Sequence, residues 1–201
     1  MLRAIRNSLT IGATSTAIGT AVATMAAIGL AQGKLRRRAA LEQVIALPLV
    51  LPEIVVAISM LIFFVLIGFP LGMRSVIIAH STFTIPFAFL PIRARLADMD
   101  SSLVEAAADL YANRWQATRR IVLPLLLPGI LAGAMLAFIA SLGDFVISFF
   151  VSGPGTTTLP VYIFGMIKMG ITPTVNAIST LLITTSILVL AVAYPLGRWF
   201  R

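Results

Sequence analysis

The sequence predicts an all-α fold in the form of a polytopic membrane helical bundle. Of the 201 residues, 59% are hydrophobic and 11% are charged, and the mean hydropathy is +1.03. A soluble domain of this size needs more polar surface to cover its core. Several apolar runs reach the roughly 20 residues that cross a bilayer core. The basic residues fall in the short connections between these runs, which is typical of an integral membrane protein.

Composition also excludes several chemistries. The sequence has no cysteine, which removes disulfides, thiolate metal sites and cysteine nucleophiles, and its one histidine, His80, cannot form a multi-histidine metal site. We expect His80 to pack as a polar residue within a span. The Gly-rich loop GPGTTT at 153–158 lacks the Gly-Lys-Ser/Thr ending of a phosphate loop. We therefore expect no cofactor on this chain, with ATP and Mg on a partner.

Five membrane spans are expected, at about 8–32, 44–68, 75–92, 122–151 and 176–196, with a loop at 152–175. The chain forms one transmembrane domain, 1–201, in this interpretation. The opening MLRAIRNSLT leads into a long span, so no cleavable signal peptide is expected.

Two spans carry features that bear on packing. In the first, Ser15, Gly19, Ala23 and Ala27 recur every four residues, which lets another helix of this chain or of a second subunit approach closely. In the second, prolines 48 and 52 each lack a backbone donor, so a kink or a break is expected.

The distribution of basic residues predicts the orientation. Eleven of the 15 lie on one side if 33–43, 93–121 and the C-terminus share it: Lys34, Arg36, Arg37, Arg38, Arg93, Arg95, Arg114, Arg119, Arg120, Arg198 and Arg201. The other four are Arg3, Arg6, Arg74 and Lys168. The first side is therefore expected in the cytoplasm, with the N-terminus outside.

A polar insert, EAAADLYANRWQATRRIVLP at 105–124, interrupts the apolar sequence. Ser102 with Glu105, and Asn113 with Gln116, have the spacing of capping boxes. The insert should form two short helices, at about 103–110 and 114–121, hinged at Tyr111 and its successor. Helices this short are marginal alone in water, so they need something to pack against.

Three interpretations of this insert remain open from its residues. It could lie on the membrane surface, with Arg119 and Arg120 against anionic lipid. Glu105 could serve only as a helix cap. The whole segment could instead dock on a cytoplasmic partner.

The insert resembles the cytoplasmic EAA loop of the permease subunits of bacterial ABC importers. That pattern is E-A-A, three residues, Gly, nine residues, then I-x-L-P. Glu105, Ala106 and Ala107 match its start, and the segment ending in Leu123 and Pro124 matches its end. Tyr111 replaces the family glycine, which would supply a left-handed helix end at low cost, so the hinge should widen or shift onto residues 112 and 113.

The resemblance implies a cytoplasmic coupling loop at 101–124, within a permease core of about five spanning helices. Its two short helices would dock in a groove on an ATPase and carry ATP-driven closure to the membrane helices. Glu105 would meet a basic group there, with Ala106 and Ala107 as the close-packing face. Tyr111, Arg114, Leu123 and Pro124 complete the predicted coupling residues. The implied partners are a second permease chain, two ATPases and an external binding protein, in the bacterial inner membrane.

The likeness extends along the chain to the spermidine/putrescine permease subfamily. It includes LPLVLPEIVVAISM at 47–60, SLGDFVISFFVSGPG at 141–155 and LPVYIFGMIKMG at 159–170. Members of that subfamily usually have one more helix before the position of Arg3, so a lost first helix is expected. They often carry two acidic residues where this chain has Gly143 and Asp144, which weakens the polyamine assignment. Permeases for an opine, an aminophosphonate, thiamine or ferric ion are alternatives.

Two acidic residues, Glu53 and Asp144, fall within apolar spans. Ionisable groups at membrane depth are costly, so both are candidates for a path taken by a small cation. Phe145, Phe149 or Phe150 would offer aromatic faces to an amine. Alternatively, Glu53 bonds to backbone freed by the nearby prolines, and Asp144 pairs with a neighbouring subunit.

Two other classes compete with an importer permease. A secondary transporter would use Glu53 and Asp144 as proton or ion sites, but its usual internal repeat is not evident between the two halves. A membrane-embedded enzyme or scaffold is disfavoured because the sequence has no convincing catalytic set. We therefore expect a transport subunit that is not itself an enzyme.

Overall fold

The computed structural model describes residues 1–32, 38–100 and 102–168, together with isolated positions between 177 and 191. Most of the predicted fifth span, 176–196, lies outside these residues and stays a prediction. The same holds for residues 34–37 of the basic KLRRR segment.

The described ranges are helical throughout, joined by short turns. The α-helices are α1 (Leu2–Gln32), α2 (Arg38–Ala46), α3 (Glu53–Leu66), α4 (Met73–Ala97), α5 (Ser102–Asp109), α6 (Arg114–Ala117), α7 (Leu123–Gly143), α8 (Val146–Val151) and α9 (Leu159–Lys168). A 3₁₀ turn covers Leu47–Leu49, and a π-helical turn covers Thr118–Val122.

Three of these helices are long and apolar enough to cross a membrane: Leu2–Gln32, Met73–Ala97 and the continuous helix Arg114–Gly143. The pair Arg38–Leu49 and Glu53–Leu66 is also apolar enough, but its two parts are bent by 99° relative to each other. If this pair is counted as one broken span, the described residues contain four crossings. The break falls between residues 49 and 53, with Pro52 inside it and Pro48 in the 3₁₀ turn just before it. The predicted break in the second span is therefore confirmed.

Two expectations for the second half of the chain were wrong. The fourth span does not run over 122–151, because it begins at Arg114 and ends at Gly143, and Asp144 has extended backbone. The expected loop at 152–175 contains the ten-residue helix α9, whose Leu159 and Ile163 are buried against the chain. Pro160 occupies the first turn of α9, where a missing backbone donor costs nothing.

The bundle core forms where α1, α4 and α7 pack on one another. Ser15, Gly19, Ala23 and Ala27 of α1 are all buried in this contact, so the small-residue stripe serves packing within the chain. At its centre, a Cβ added to Gly19 would lie 2.5 Å from the Oγ1 of Thr84 on α4. The close approach of α1 to α4 therefore requires a residue without a side chain.

Gly133 brings α7 equally close to α4, and it gives a stability prediction. An added Cβ would lie 2.6 Å from the carbonyl oxygen of Ala88 and 3.0 Å from its Cα. Because backbone atoms cannot move aside locally, Gly133→Ala should destabilise the protein by about 1–3 kcal/mol, seen as a lower thermal-unfolding midpoint. Gly29→Ala is the matched control in α1, where nothing lies within 4 Å of the new Cβ, and it should be neutral or slightly stabilising.

Polar contacts fix the two ends of the bundle. At one end, Gln32 Nε2 donates to Thr118 Oγ1 at 2.9 Å, which joins the end of α1 to the polar insert. At the other end, Asn7 Nδ2 donates to the carbonyl of Gly155 at 3.1 Å, and Leu159 N donates to Ser8 Oγ at 2.8 Å. The insert and the C-terminal end of α1 therefore lie at the same end of the bundle.

Candidate functional site

Asp144 lies at the break between α7 and α8, and it makes that break possible. Its Oδ1 accepts the backbone N–H of Ile147 at 3.1 Å, and its Oδ2 accepts that of Ser148 at 2.9 Å. These are donors that the first turn of a helix leaves unpaired, so Asp144 caps α8. The residue is buried, with 4% of its surface exposed.

His80 of α4 is the ion-pair partner of Asp144. Its Nε2 lies 3.1 Å from Oδ2 of Asp144 and 2.9 Å from Oγ of Ser148. On the other side of the ring, Nδ1 lies 2.8 Å from Oγ of Ser141, which in turn is 3.1 Å from Oγ of Ser15. The expected pairing of Asp144 with another subunit is therefore wrong, because a histidine of the same chain supplies the partner.

Glu53 begins α3, directly after the break in the second span. Its carboxyl group is close enough to that of Asp144 for the two to interact electrostatically, so the structure brings together the two spanning acids that the sequence singled out. The alternative that Glu53 bonds to backbone groups freed near Pro48 and Pro52 is not confirmed, because the described residues show no such hydrogen bond. Unlike Asp144, Glu53 is only partly buried. It is the member of the pair that a solute can reach.

Aromatic side chains follow Asp144 on the next turn of chain. The ring centroid of Phe145 lies 5.3 Å from that of Phe149 and 4.7 Å from that of Phe164 on α9. Phe150 meets Phe149 edge-on, with centroids 5.6 Å apart. The ammonium nitrogen of Lys168 lies 4.9 Å from the centroid of Phe164, so one face of this cluster already carries an amine.

The polar insert folds as two helical segments. The predicted capping box at the second segment is confirmed, because Gln116 N donates to Asn113 Oδ1 at 2.8 Å and Asn113 N donates to Gln116 Oε1 at 2.9 Å. The segment is not a separate short helix as expected. It continues from Arg114 through the π-helical turn into α7.

The predicted cap at the first segment was wrong. Ser102 already belongs to α5, and its backbone N–H donates to Asp100 Oδ1 at 2.9 Å. This bond, with one from the Ser102 hydroxyl, holds the pKa of the Asp100 carboxyl below its usual value. The stabilisation is therefore present above the ordinary aspartate pKa of about 3.9 and is lost as the pH falls through the lower folded value. Glu105 remains exposed in the first turn.

Tyr111 ends α5 in the left-handed conformation, with φ of 58°. The N–H of Ala112 reaches the carbonyl of Ala107 at 3.0 Å, and the N–H of Tyr111 reaches that of Ala108 at 2.9 Å. This is the hydrogen-bond pattern of a Schellman helix end. The expected shift of the hinge away from Tyr111 was therefore wrong, because the tyrosine adopts the conformation that a glycine would.

Replacing this tyrosine tests the strain directly. Tyr111→Gly should stabilise the end of α5 by about 1 kcal/mol, since left-handed backbone costs an L-residue about 1–2 kcal/mol. Hydrogen exchange of the Ala112 amide should then slow by about fivefold. The matched case is Gly68, which ends α3 with φ of 66°. Gly68→Ala should destabilise that helix end, the opposite of the effect expected for Tyr111→Gly. Unchanged exchange in Tyr111→Gly would contradict the assignment.

The insert presents an apolar surface at its end of the bundle. Leu110 is 82% exposed, Tyr111 97% and Trp115 69%. A groove of about 530 Å³ runs between the two helical segments, lined by Leu103, Ala106, Ala107, Leu110, Tyr111, Ala112, Gln116, Ala117, Arg120 and Ile121.

The remaining predicted coupling residues divide by exposure. Ala106, Arg114, Leu123 and Pro124 are exposed. Ala107 is only 5% exposed, so it packs within the insert and does not belong to an outward close-packing face as expected.

The π-helical turn at Thr118–Val122 sits immediately before Pro124. A proline ring collides with the carbonyl four residues earlier, here that of Arg120. The turn widens instead, and the N–H of Leu123 bonds to the carbonyl of Thr118, five residues back. The I-x-L-P segment therefore marks a wide turn that lets one helix run from the insert into the bundle.

Sequence reasoning missed several of these residues. His80 was expected only to pack, and Ser141, Ser148 and Ser15 carried no signal because serines are common in spans. Ser148 lies four residues after Asp144, a spacing that fits a helix cap. Trp115 was overlooked, although it is a large apolar side chain that the insert leaves 69% exposed.

The fold is that of known importer permeases. A chain of the MetNI methionine ABC transporter, in an inward-facing conformation, superposes with a TM-score of 0.82 over 100% of this chain and 96% of that chain, at 21% identity. Residues 19–201 match the family described as the binding-protein-dependent transport system inner membrane component. The chain therefore belongs to this family and is a permease subunit of an ABC importer, which confirms the class expected from the E-A-A and I-x-L-P motifs.

Two of its similar curated relatives are polyamine permeases. The spermidine/putrescine transport system permease protein PotC of Escherichia coli (strain K12) is 35% identical over 198 residues, which cover 98% of this chain and 75% of PotC. The putrescine transport system permease protein PotI of the same strain is 39% identical over 190 residues, covering 91% of this chain and 68% of PotI. This confirms the subfamily resemblance.

Proposed function

We propose that this permease forms half of a translocation path for a small organic cation of the polyamine class. The observation that carries the proposal is the meeting of Glu53 and Asp144 at two helix breaks. Within the described part of the chain, no lysine or arginine forms an ion pair with either carboxyl group. Among these described residues the partner of Asp144 is His80, on the buried side, which leaves Glu53 to face a solute. The relatives PotC and PotI, named for spermidine and putrescine, support the same substrate class.

The aromatic cluster adds to this path. Phe145 directly follows Asp144 and its ring centroid lies 5.3 Å from that of Phe149, which is 48% exposed, so the proposed path runs past both rings. Lys168 over Phe164 illustrates that the cluster accommodates an ammonium group. A diamine with one ammonium at Glu53 and its apolar chain along Phe145 and Phe149 would use both features.

The proposed assembly contains a second permease chain, two cytoplasmic ATPases and an external substrate-binding protein. ATP and Mg would bind to the ATPases, and this chain would carry no cofactor of its own. The insert would dock in the ATPase through Glu105, Ala106 and Arg114, together with Leu110 and Trp115. Exposed apolar side chains of this size at the end of a membrane bundle support a protein partner.

The proposed orientation places the insert in the cytoplasm of a bacterial inner membrane. The contact between Gln32 and Thr118 supports one shared side for the two most basic connections, 33–43 and 93–121. A cytoplasmic position for that side follows from the excess of lysine and arginine.

Uptake by the reconstituted transporter tests the substrate class. Proteoliposomes holding the complete complex, with ATP inside and binding protein outside, should accumulate labelled putrescine or spermidine. Excess unlabelled polyamine should compete, whereas thiamine, an aminophosphonate, an opine or ferric ion should not. Uptake of one of those solutes in place of the polyamines would overturn the proposal.

A further inference from the structure

A carboxylate of α2 ties the broken second span to α4. Oε2 of Glu42 lies 2.7 Å from Nη2 of Arg93 on α4, and its Oε1 lies 3.0 Å from Nε of Arg38 within α2. The side chains of Glu42 and Arg93 are 19% and 35% exposed, so water screens their attraction only in part. Within the described ranges, the buried Nε of Arg93 has no hydrogen-bond partner, so Glu42 is what orients this guanidinium.

Little apolar packing holds α2 in place beside this ion pair. None of its nine residues is buried, and Val44 is 64% exposed. Ile45 is partly buried, and it is the residue of α2 that packs against the apolar cluster formed by α1, α4 and α7. The orientation of α2 therefore depends strongly on the ion pair between Glu42 and Arg93.

The connection from α2 to α3 is short and stiff. The carbonyl of Leu47 accepts backbone N–H bonds from Val50 at 3.0 Å and from Leu51 at 3.2 Å, so hydrogen-bonded backbone continues as far as residue 51. Pro52 follows with φ of −56° and ψ of 128°, and its ring fixes the φ angle. A change in the direction of α2 is therefore passed directly to the next residue, Glu53.

The first turn of α3 has no buried residue of its own. The buried residues of α3 are Ala57 and Phe64, so its packing into the core begins one turn after Glu53. Glu53 thus lies between two supports, the core contact at Ala57 and the tie from Glu42 to α4. If the ion pair were removed, the angle of the break would be held on the α2 side by the partly buried Ile45.

We propose that Glu42 and Arg93 are a positioning pair for Glu53, because they fix the angle of the broken span and so hold the Glu53 carboxyl group in the solute path. This inference rests on the proposed function, in which Glu53 faces the cation. A partly exposed ion pair contributes little to overall stability, so its loss should displace Glu53 without unfolding the bundle. The effect should appear in transport and in the local backbone, while the thermal-unfolding midpoint stays close to that of the wild type.

A double-mutant cycle in the reconstituted uptake assay tests this role. Glu42→Ala should lower the initial rate of putrescine uptake by about fivefold, within the range of coupling between interacting residues. In a Glu53→Gln background the same change should have no further effect, because the group that it positions is already lost. A general structural role would lower uptake by the same factor in both backgrounds, and that result would overturn the proposal.

The two partners of Glu42 supply matched variants. Arg93→Ala removes the tie to α4 and should reproduce the loss of uptake, whereas Arg38→Ala removes the bond inside α2 and should leave uptake unchanged. The charge exchange Glu42→Arg with Arg93→Glu should restore most of the uptake. Equal losses in Arg38→Ala and Arg93→Ala would contradict a role for the tie between the helices.

Hydrogen exchange, measured without any solute, separates this inference from the proposed substrate. The amides of Val55 and Val56 bond to the carbonyl of Pro52 at 2.9 Å and 3.3 Å, so they report the geometry at the start of α3. They should exchange about fivefold faster in Glu42→Ala and at the wild-type rate in Arg38→Ala. Unchanged exchange in Glu42→Ala would overturn the positioning role. Faster exchange in a complex whose wild type takes up no putrescine would support the role and overturn the proposed substrate.

Discussion

Asp144→Ala will destabilise the complex by about 3–5 kcal/mol, the cost of removing one partner of a buried ion pair. The substitution leaves the buried His80 ring without its carboxylate partner, and it also removes the cap from α8. Both groups are buried, so water cannot replace the lost bonds. The measurement is the thermal-unfolding midpoint of the purified complex, which should fall by several degrees.

Two variants show whether that loss comes from the buried pair. Asp144→Asn keeps an oxygen that can accept an α8 N–H but has no carboxylate charge to pair with His80, so its midpoint should lie between those of alanine and wild type. Asp98→Ala removes an exposed carboxylate after α4 and should change stability by no more than about 0.5 kcal/mol. If Asp144→Ala has the same thermal-unfolding midpoint as the wild type, the buried network does not stabilise the break between α7 and α8.

Trp115→Ala will weaken retention of the ATPase by about 30-fold, corresponding to the roughly 2 kcal/mol typical of an interface hot spot. Trp115 is 69% exposed on the insert, and Leu110, on the α5 side of the insert, is 82% exposed. Glu105 is also exposed, but a rim charge contributes less, so Glu105→Ala should have a smaller effect. The measurement is the amount of ATPase that co-purifies with the permease as salt and dilution increase.

A surface residue at the other end of the bundle provides the control. Leu2 is 80% exposed, and Leu2→Ala removes apolar area without approaching the insert. It should leave ATPase retention unchanged. If Trp115→Ala retains as much ATPase as Leu2→Ala, the insert does not dock through its apolar surface.

The helix from Arg114 to Gly143 connects the insert to the acidic pair, the two regions that the proposed function uses. The 21 residues of α7 span about 30 Å at 1.5 Å per residue, from the end of the insert to Asp144. A force on Trp115 therefore reaches the acidic pair along one continuous element. The π-helical turn keeps this continuity where Pro124 would otherwise break the helix.

Local sequence determined the parts of this fold that depend on local chemistry. Apolar run length predicted the long helices, Pro48 and Pro52 predicted the break in the second span, and the Asn113 spacing predicted its capping box. At the other cap, Asp100 and Glu105 both offered a carboxylate near the start of α5. Only the folded geometry decided that Asp100 takes the donor.

Three features depended on tertiary contacts and could not be predicted from the sequence. The break at Asp144 lies inside an apolar run, and only the meeting with His80 of α4 makes a buried carboxylate tolerable there. The helix α9 was predicted as a loop because glycines and threonines flank its ten apolar-rich residues. In the structure, these residues pack against Ile5 at the start of α1. Glu53 and Asp144 were identified separately, but their contact depends on how α3 folds back onto α8.

ATP hydrolysis by the complete complex in lipid tests the central claim most directly. The complex is assayed with its binding protein, empty or loaded with putrescine, as wild type and as Trp115→Ala. The account predicts stimulation by the loaded protein in the wild type and its loss in the variant. If no ATPase accompanies the permease, and the chain alone moves putrescine down an ion gradient, the insert is not a coupling element and the account is wrong.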